Sequence, residues 1–299
     1  MDNNFKSGYV GIVGVPNVGK STLLNRLVGQ KIAIISPKPQ TTRNKILGIM
    51  HGDGFQAVFM DTPGFHKPRT KLGENMIKAV NETINDIDAA ILVVEPDTAI
   101  SPAEEKIIEK LDGIKTILVI NKADTVKKEE LLAVIGTYSQ KYKFEDVVPV
   151  SAKTGENIEE LKKIIKNILP CGPMYYPEEM VTDQQEKQIV AEIIREKMLV
   201  ILRQEIPHGT AVEIIKMKYD DSAKKGMYNI SANIYCEKDS HKGIIIGKGG
   251  KSLKEIGTMA RKDCEDLLGC RVYLQLWVKV KEDWRNSNNL MKEIGIGDF

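Results

Sequence analysis

Lys20 and Ser21 close the stretch Gly14-Val15-Pro16-Asn17-Val18-Gly19-Lys20-Ser21, with Thr22 next. Two glycines, a lysine and a hydroxyl at this spacing form the pattern G-x-x-x-x-G-K-[ST] at every required position. The physics is that of a polyphosphate cradle. Gly14 and Gly19 carry no Cβ, so the backbone can close around an anion. Successive N–H groups and a helix N-terminus then point at it. Lys20 reaches the outer phosphates, and Ser21 Oγ suits a Mg²⁺ that bridges them.

Three further clusters follow in an order that such a site requires. Asp61-Thr62-Pro63-Gly64 ends an apolar run, Ala57 to Met60, and lies 40 residues after Ser21. An acid there is the expected partner of Mg²⁺, and the Gly64 N–H can meet a γ-phosphate. Between the two lies Ser36-Pro37-Lys38-Pro39-Gln40-Thr41-Thr42-Arg43, polar and broken by prolines. A threonine from this loop would join the metal only when the γ-phosphate is present; Thr42 is favoured, with Thr41 the alternative. Asn121-Lys122-Ala123-Asp124 ends the run Thr116 to Ile120. The Asp124 carboxylate can accept from the ring N–H and the exocyclic amine of guanine, a donor pair that adenine lacks. Asn121 and Lys122 would fix the loop. Ser151-Ala152-Lys153 follows a last short run and offers a backbone N–H to guanine O6.

The residue after Gly64 is Phe65, and a phenyl ring cannot orient a water by hydrogen bonding. Intrinsic hydrolysis is expected to be slow unless another charge is supplied. Asn17 could hold a potassium ion beside the phosphates; the competing reading is a loop residue that tolerates a left-handed backbone. The catalytic set is therefore Lys20, Thr42, Gly64 and Asn17.

These clusters need a scaffold that brings strand ends together. The runs Tyr9 to Val13, Ala57 to Met60, Ala90 to Val94, Thr116 to Ile120 and Val147 to Val150 read as short buried strands. Thr22 to Val28 has helical apolar spacing. Four motifs at strand carboxyl ends place a nucleotide at one edge of a mostly parallel sheet with helices on both faces. The whole chain has 299 residues, 42% of them hydrophobic and 28% charged, which fits two globular domains. No signal peptide or membrane-length apolar run is visible. Four cysteines without C-x-x-C spacing fit a reduced, cytoplasmic chain. Net charge is only +2, but no acid occurs between Asp2 and Asp53, nor from Ser240 to Lys254. Both windows suit polyanions.

The proline-punctuated stretch from Leu169 to Pro177 marks a boundary, giving domains at 1–170 and 183–299 with a linker at 171–182. Thr182-x-x-Gln185 resembles a capping box at a helix start. Apolar spacing then predicts a helix through Met198, strands over Ala211–Met217 and Tyr228–Cys236, a short helix, Gly247-Lys248-Gly249-Gly250, a long helix and a strand from Arg271 to Val280. The order α-β-β-α-α-β with G-x-x-G between the paired helices is that of a type II KH domain, an α+β fold whose loop clamps about four nucleotides of RNA backbone. Lys242, Lys248 and Lys251 supply the charge.

Residues 8 to about 170 resemble a translation-factor-class small GTPase domain. The stretches DTPGFHKPRTKLGENM at 61–76 and KPQTTR at 38–43 resemble the Era GTPases, and the GTPase-plus-KH order extends that resemblance over the chain. The resemblance implies GTP and GDP as ligands with Mg²⁺. It implies a role in assembling the small ribosomal subunit, holding its ribosomal RNA near the 3′ end, as a monomer. It also implies weak peripheral association with the inner face of the cell membrane. Two other readings are a tRNA-modification GTPase, which would want a catalytic cysteine after Cys270, and an RNA-binding module with a regulatory nucleotide site.

Overall fold

A computed structural model describes residues 4–36, 38, 41–43, 45–61, 70–202, 206–222 and 226–293. They fall into two compact units. The first runs to Ala33, resumes at Thr42 and ends at Asp183. The second begins at Gln184 and also includes the described residues of Ile34–Thr41, together with 70–72.

In the first unit, the strands β1 (Lys6–Val13), β2 (Ile46–Gly52), β3 (Phe55–Asp61), β4 (Ala89–Val94), β5 (Lys115–Ile120) and β6 (Asp146–Pro149) form one sheet in the order β2-β3-β1-β4-β5-β6. Every pairing is parallel except β2 with β3. The helices are α1 (Lys20–Val28), α2 (Lys71–Asn85), α3 (Pro102–Lys110), α4 (Lys128–Lys141) and α5 (Ile158–Ile168). Strand β4 is buried at every position, as a strand covered on both faces must be. One core packs Leu23, Leu27, Leu161 and Ile165 under Phe59 and Val119; a second packs Ile107, Leu111 and Tyr138 under Leu92 and Leu118. From β1 the chain winds first toward β2 and β3, then toward β4, β5 and β6. The crevice this opens at the carboxyl ends of the strands is where α/β sheets bind ligands.

The edge strand β2 and helices α2 to α5 were not singled out by sequence pattern. The proline-rich stretch after α5 does not hang free. The Ser7 N–H donates to Pro170 O at 3.0 Å, and Gly172 N–H to Phe5 O at 3.0 Å. Gln56, fully buried, accepts from the N–H groups of Tyr175 and Tyr176 at 2.8 and 3.1 Å and donates to Tyr176 O at 2.7 Å. Thr182 is no helix cap: its hydroxyl donates to Leu47 O at 2.6 Å, continuing this strap along β2. The helix is capped three residues later, where Gln185 N–H donates to the Gln188 side chain at 3.0 Å.

The second unit has α6 (Glu186–Ile201), β7 (Ala211–Asp220), β8 (Met227–Cys236), α7 (Asp239–Ile246), α8 (Lys251–Leu268), β9 (Arg271–Val280) and a final turn of helix, α9 (Asn288–Glu293). The sheet order is β7-β8-β9, with β7 antiparallel and β9 parallel to β8. The parallel pair needs a crossover, which α7 and α8 provide. Val190, Ile194 and Met198 of α6 meet Ile256, Ala260 and Cys264 of α8 over the inner sheet face, which carries Ile230, Ala232, Ile234 and Val272. This is the α-β-β-α-α-β order of a type II KH domain.

Candidate functional site

The phosphate loop joins β1 to α1. Gly14 has φ +153, and a Cβ there would lie 2.4 Å from Val93 O at the end of β4. Gly19 has φ +98, and a Cβ there would lie 2.2 Å from Asn121 Nδ2. Both positions therefore demand glycine, on grounds of contact as well as torsion. Gly19 also caps α1 without any side-chain hydrogen bond. The first N–H groups of the helix are left for an anion. Lys20 is buried, and its ammonium donates to Gly14 O and Val15 O at 2.9 Å each. Burial pulls its pKa down to about 8, against the upward pull of Asp61.

Ser21, Thr42 and Asp61 converge. Ser21 Oγ donates to Asp61 Oδ2 at 2.8 Å and lies 3.0 Å from Thr42 Oγ1, which is itself 3.5 Å from Asp61 Oδ2. Two hydroxyls and a carboxylate make a hard oxygen set, the chemistry that Mg²⁺ takes. Thr41 points elsewhere, its hydroxyl donating to Lys38 O at 2.6 Å. The turn between α1 and this loop is fixed by Asn25, whose Oδ1 accepts from the N–H groups of Ile32 and Ala33 at 2.9 Å each. Thr62, Pro63, Gly64 and Phe65 lie outside the described residues.

Asn121 joins three loops. Its Nδ2 donates to Val18 O at 2.7 Å in the phosphate loop, and its Oδ1 accepts from Ala152 N–H at 3.0 Å. Lys122 takes φ +61 and pairs with Glu95. Ala123 is buried and Asp124 is exposed. Ser151 is fully buried, and Arg26 of α1 donates to Ala152 O at 3.1 Å and Lys153 O at 2.6 Å. Asn17 is exposed with φ +70, a left-handed backbone, and its amide lies in solvent. Val15, Pro16 and Thr22 are half-buried around the loop.

Thr41, just before Thr42, belongs to the second unit. Its carbonyl accepts from Arg195 Nη2 of α6. Arg195 is 1% exposed and also donates to Glu192 at 2.8 and 2.5 Å. Next to it, Glu196 accepts from Ile35 N–H at 2.9 Å and from Lys197 at 2.8 Å. Sequence reasoning missed this pair. The available signal was three successive charges, Arg195-Glu196-Lys197, inside an apolar helix face.

In the second unit, Gly247, Gly249 and Gly250 all have positive φ, at 73, 61 and 77°. A Cβ on Gly247 would lie 2.4 Å from Ser252 Oγ, whereas Gly249 and Gly250 face open space. Gly250 caps α8 without a side-chain bond, so this helix N-terminus is open too. Lys248 and Lys251 are exposed beside it; Lys242, on α7, is half-buried. A groove of about 570 Å³ continues from Gly250, floored by Leu253, Leu274 and Leu276 and edged by Lys254, Thr258 and Arg261. Its edge residues recur every three or four positions along α8, a spacing visible in the sequence.

Comparison with known proteins matches both units. The profile of a family described as 50S ribosome-binding GTPase matches residues 9–122, and that of the KH domain matches residues 205–285. The chain is 53% identical to the GTPase Era of Clostridioides difficile, covering 98% of this chain and 99% of that protein. It is likewise 53% identical to the GTPase Era of Alkaliphilus oremlandii, covering 97% and 99%. Among solved structures, an Aquifex aeolicus Era variant bound to GDP and AlF4⁻ superposes with a TM-score of 0.92 at 39% identity, covering 98% of this chain and all of that one. An Era in complex with MgGDPNP and nucleotides 1506–1542 of 16S ribosomal RNA superposes with a TM-score of 0.93, also at 39% identity, covering 98% and 99%.

The lowered pKa of Lys20 gives a signed expectation. A phosphate beside the ammonium favours its charged form, so above pH 8 binding must take up a proton. Affinity for a nucleoside triphosphate should be flat below pH 7.5 and fall as pH rises through about 8. Calorimetry at pH 8.5 in two buffers of different ionisation enthalpy should show proton uptake on this group. No uptake at pH 8.5 would contradict the placement of Lys20.

Proposed function

The chain belongs to the Era family of GTPases, and from that premise we propose how it works. It is a GTP-hydrolysing enzyme that binds GTP and GDP with Mg²⁺. In our reading it assembles the small ribosomal subunit, holding a single-stranded stretch near the 3′ end of its ribosomal RNA through residues 183–299, and nucleotide state times binding and release. The observation that carries the nucleotide half is the convergence of Ser21, Thr42 and Asp61 beside a glycine-capped helix. These three residues would hold the ion, which when bound neutralises charge on the β- and γ-phosphates. Lys20 swings from the Gly14 and Val15 carbonyls to the outer phosphates. Asp124 reads guanine on a loop that Asn121 fixes. Gly64 donates its N–H to the γ-phosphate. The RNA lies on Gly247 to Gly250, with its backbone against the helix N-terminus and Lys248 and Lys251, and its bases in the groove that follows. Lys242 adds charge behind the loop.

The cytoplasm is the compartment we assign, and the molecule acts there as a monomer. Weak peripheral association with the cell membrane rests on family resemblance alone.

Phe65 leaves the attacking water without a glutamine, and the exposed Asn17 amide suits a potassium ion at the phosphates. Single-turnover hydrolysis should rise when sodium is replaced by potassium. Asn17→Ala should remove that rise while sparing nucleotide affinity. Equal rates in the two salts would remove Asn17 from the reaction.

The RNA half is tested at Gly249, where a Cβ meets no protein atom within 4 Å and the left-handed φ of +61 is one that aspartate adopts more readily than most residues. Gly249→Asp puts a carboxylate where a phosphate must approach, so RNA affinity should fall at least tenfold with GTP affinity unchanged. Replacing Lys248 and Lys251 by Ala should flatten the salt dependence of binding by roughly 0.7 per lost phosphate contact. Filter binding over a salt series measures both. Full RNA affinity in Gly249→Asp would move the RNA off this loop.

A further inference from the structure

The sheet of the second unit has two faces. The inner one packs on α6 and α8. The outer one carries Tyr273, Gln275 and Trp277 in a row along β9, the alternation of a strand placing all three on one side. Tyr273 is 52% and Trp277 58% exposed, although large aromatic rings are costly to leave in water. Gln275 stands between them, accepting from Ser231 Oγ at 3.2 Å and donating to the Tyr273 hydroxyl at 3.2 Å. Gln275 and Tyr273 are thus held side by side before any partner arrives, with the exposed Trp277 ring next in the row.

Charge surrounds this row. The register places Lys218 across from Asn229 and Tyr273, and Lys216 across from Ser231 and Gln275. Arg271 and Lys279 flank the row on β9 itself. The two acids on this face are engaged locally: Glu213 accepts from the Tyr235 hydroxyl at 2.6 Å, and Asp220 from Ser222. A protein partner would want an apolar centre depleted of lysine. Exposed rings interleaved with lysine and amide groups are instead the composition of a stacking platform for single-stranded nucleic acid, where every base offers a π-face and every phosphate a charge.

We propose that the outer face of β9, centred on Trp277 and Tyr273, is a second RNA surface that stacks unpaired bases of the same RNA held at the Gly247–Gly250 loop. The inference rests on the reading of this unit as RNA-binding and adds a site on the opposite side of the sheet from the helices. A strand that fills only the loop and its groove does not reach it. A longer one, passing round the sheet edge, does.

The chain has two tryptophans, and they separate cleanly: Trp277 is exposed and Trp284 is fully buried. Tryptophan emission of the full chain should be quenched by a 3′-terminal segment of 16S ribosomal RNA and unaffected by an RNA tetranucleotide. In Trp277→Phe, which leaves only Trp284, the long RNA should cause no quenching. Trp277→Ala should weaken the long RNA by about tenfold, and Tyr273→Ala similarly, with tetranucleotide affinity and GTP turnover unchanged. Lys248→Ala with Lys251→Ala should weaken both RNAs, which separates failure of the loop site from failure of this one. Unquenched Trp277 emission with saturating long RNA, or full affinity for it in Trp277→Ala, would overturn the proposal.

Discussion

Arg195 is a cation with 1% of its surface in water, and that burial constrains everything near it. Taking such a charge out of water costs several kcal/mol unless its donors are matched. Glu192 takes the Nε and Nη2 donors and the Thr41 carbonyl also accepts from Nη2, while Nη1 has no hydrogen-bond partner among the described residues. Glu196, itself buried, holds the N–H of Ile35. Residues 35 and 41 are thereby fixed to α6 by charge-assisted bonds, among the stronger kinds a protein makes. The boundary between the compact units falls at the peptide bond between Thr41 and Thr42. On one side of that bond is the acceptor for a buried arginine; on the other is a hydroxyl in the Ser21–Asp61 cluster. We infer that a change at the phosphates which moves Thr42 is passed through this peptide bond to α6.

The two sites use one device at different depths. Each opens on a helix whose N-cap is a left-handed glycine with no side-chain bond, Gly19 for α1 and Gly250 for α8. In the first, the helix N-terminus sits beside a buried lysine and a fully buried aspartate, Asp61. A compact anion there is largely desolvated, and every hydrogen bond to it counts for more. In the second, Lys248 and Lys251 stand in water. A polyanion held that way binds through many weak contacts, is screened by salt and is readily released. The contrast suits an enzyme that must grip its nucleotide and exchange its RNA.

The parts legible in the sequence were those carried by local pattern. Strands β4 and β5 are almost continuous apolar runs and β9 alternates, so their bounds follow to within a residue from the side-chain pattern; β1 begins at Lys6, three residues before its apolar run, because Lys6 to Gly8 are strand only by pairing with β3. Asn121, Asp61 and Ser21 were legible because chemistry fixes their spacing. Thr41 and Thr42 could not be separated by type; only the turn of the chain, with Thr41 bonded back to Lys38, sets Thr42 beside Ser21. The strap at 171–182 reads as a linker because prolines and polar residues dominate it. What pins it lies more than a hundred residues away in sequence: the buried Gln56 side chain, the carbonyl of Phe5 and the backbone of β2. Arg195 was invisible for the same reason: its partner at Thr41 lies 154 residues off, and a charge within a helix face gives no hint of a distant carbonyl.

The central claim is that the Thr41–Arg195 bond carries nucleotide state to the RNA-binding unit. The direct measurement is RNA affinity in the presence of a non-hydrolysable GTP analogue divided by that in GDP, in the unmodified chain and in Arg195→Met, with circular dichroism confirming that the variant is folded. The account predicts a ratio well away from one in the unmodified chain and close to one in Arg195→Met, with nucleotide affinity retained. An unchanged ratio in a folded Arg195→Met would contradict it.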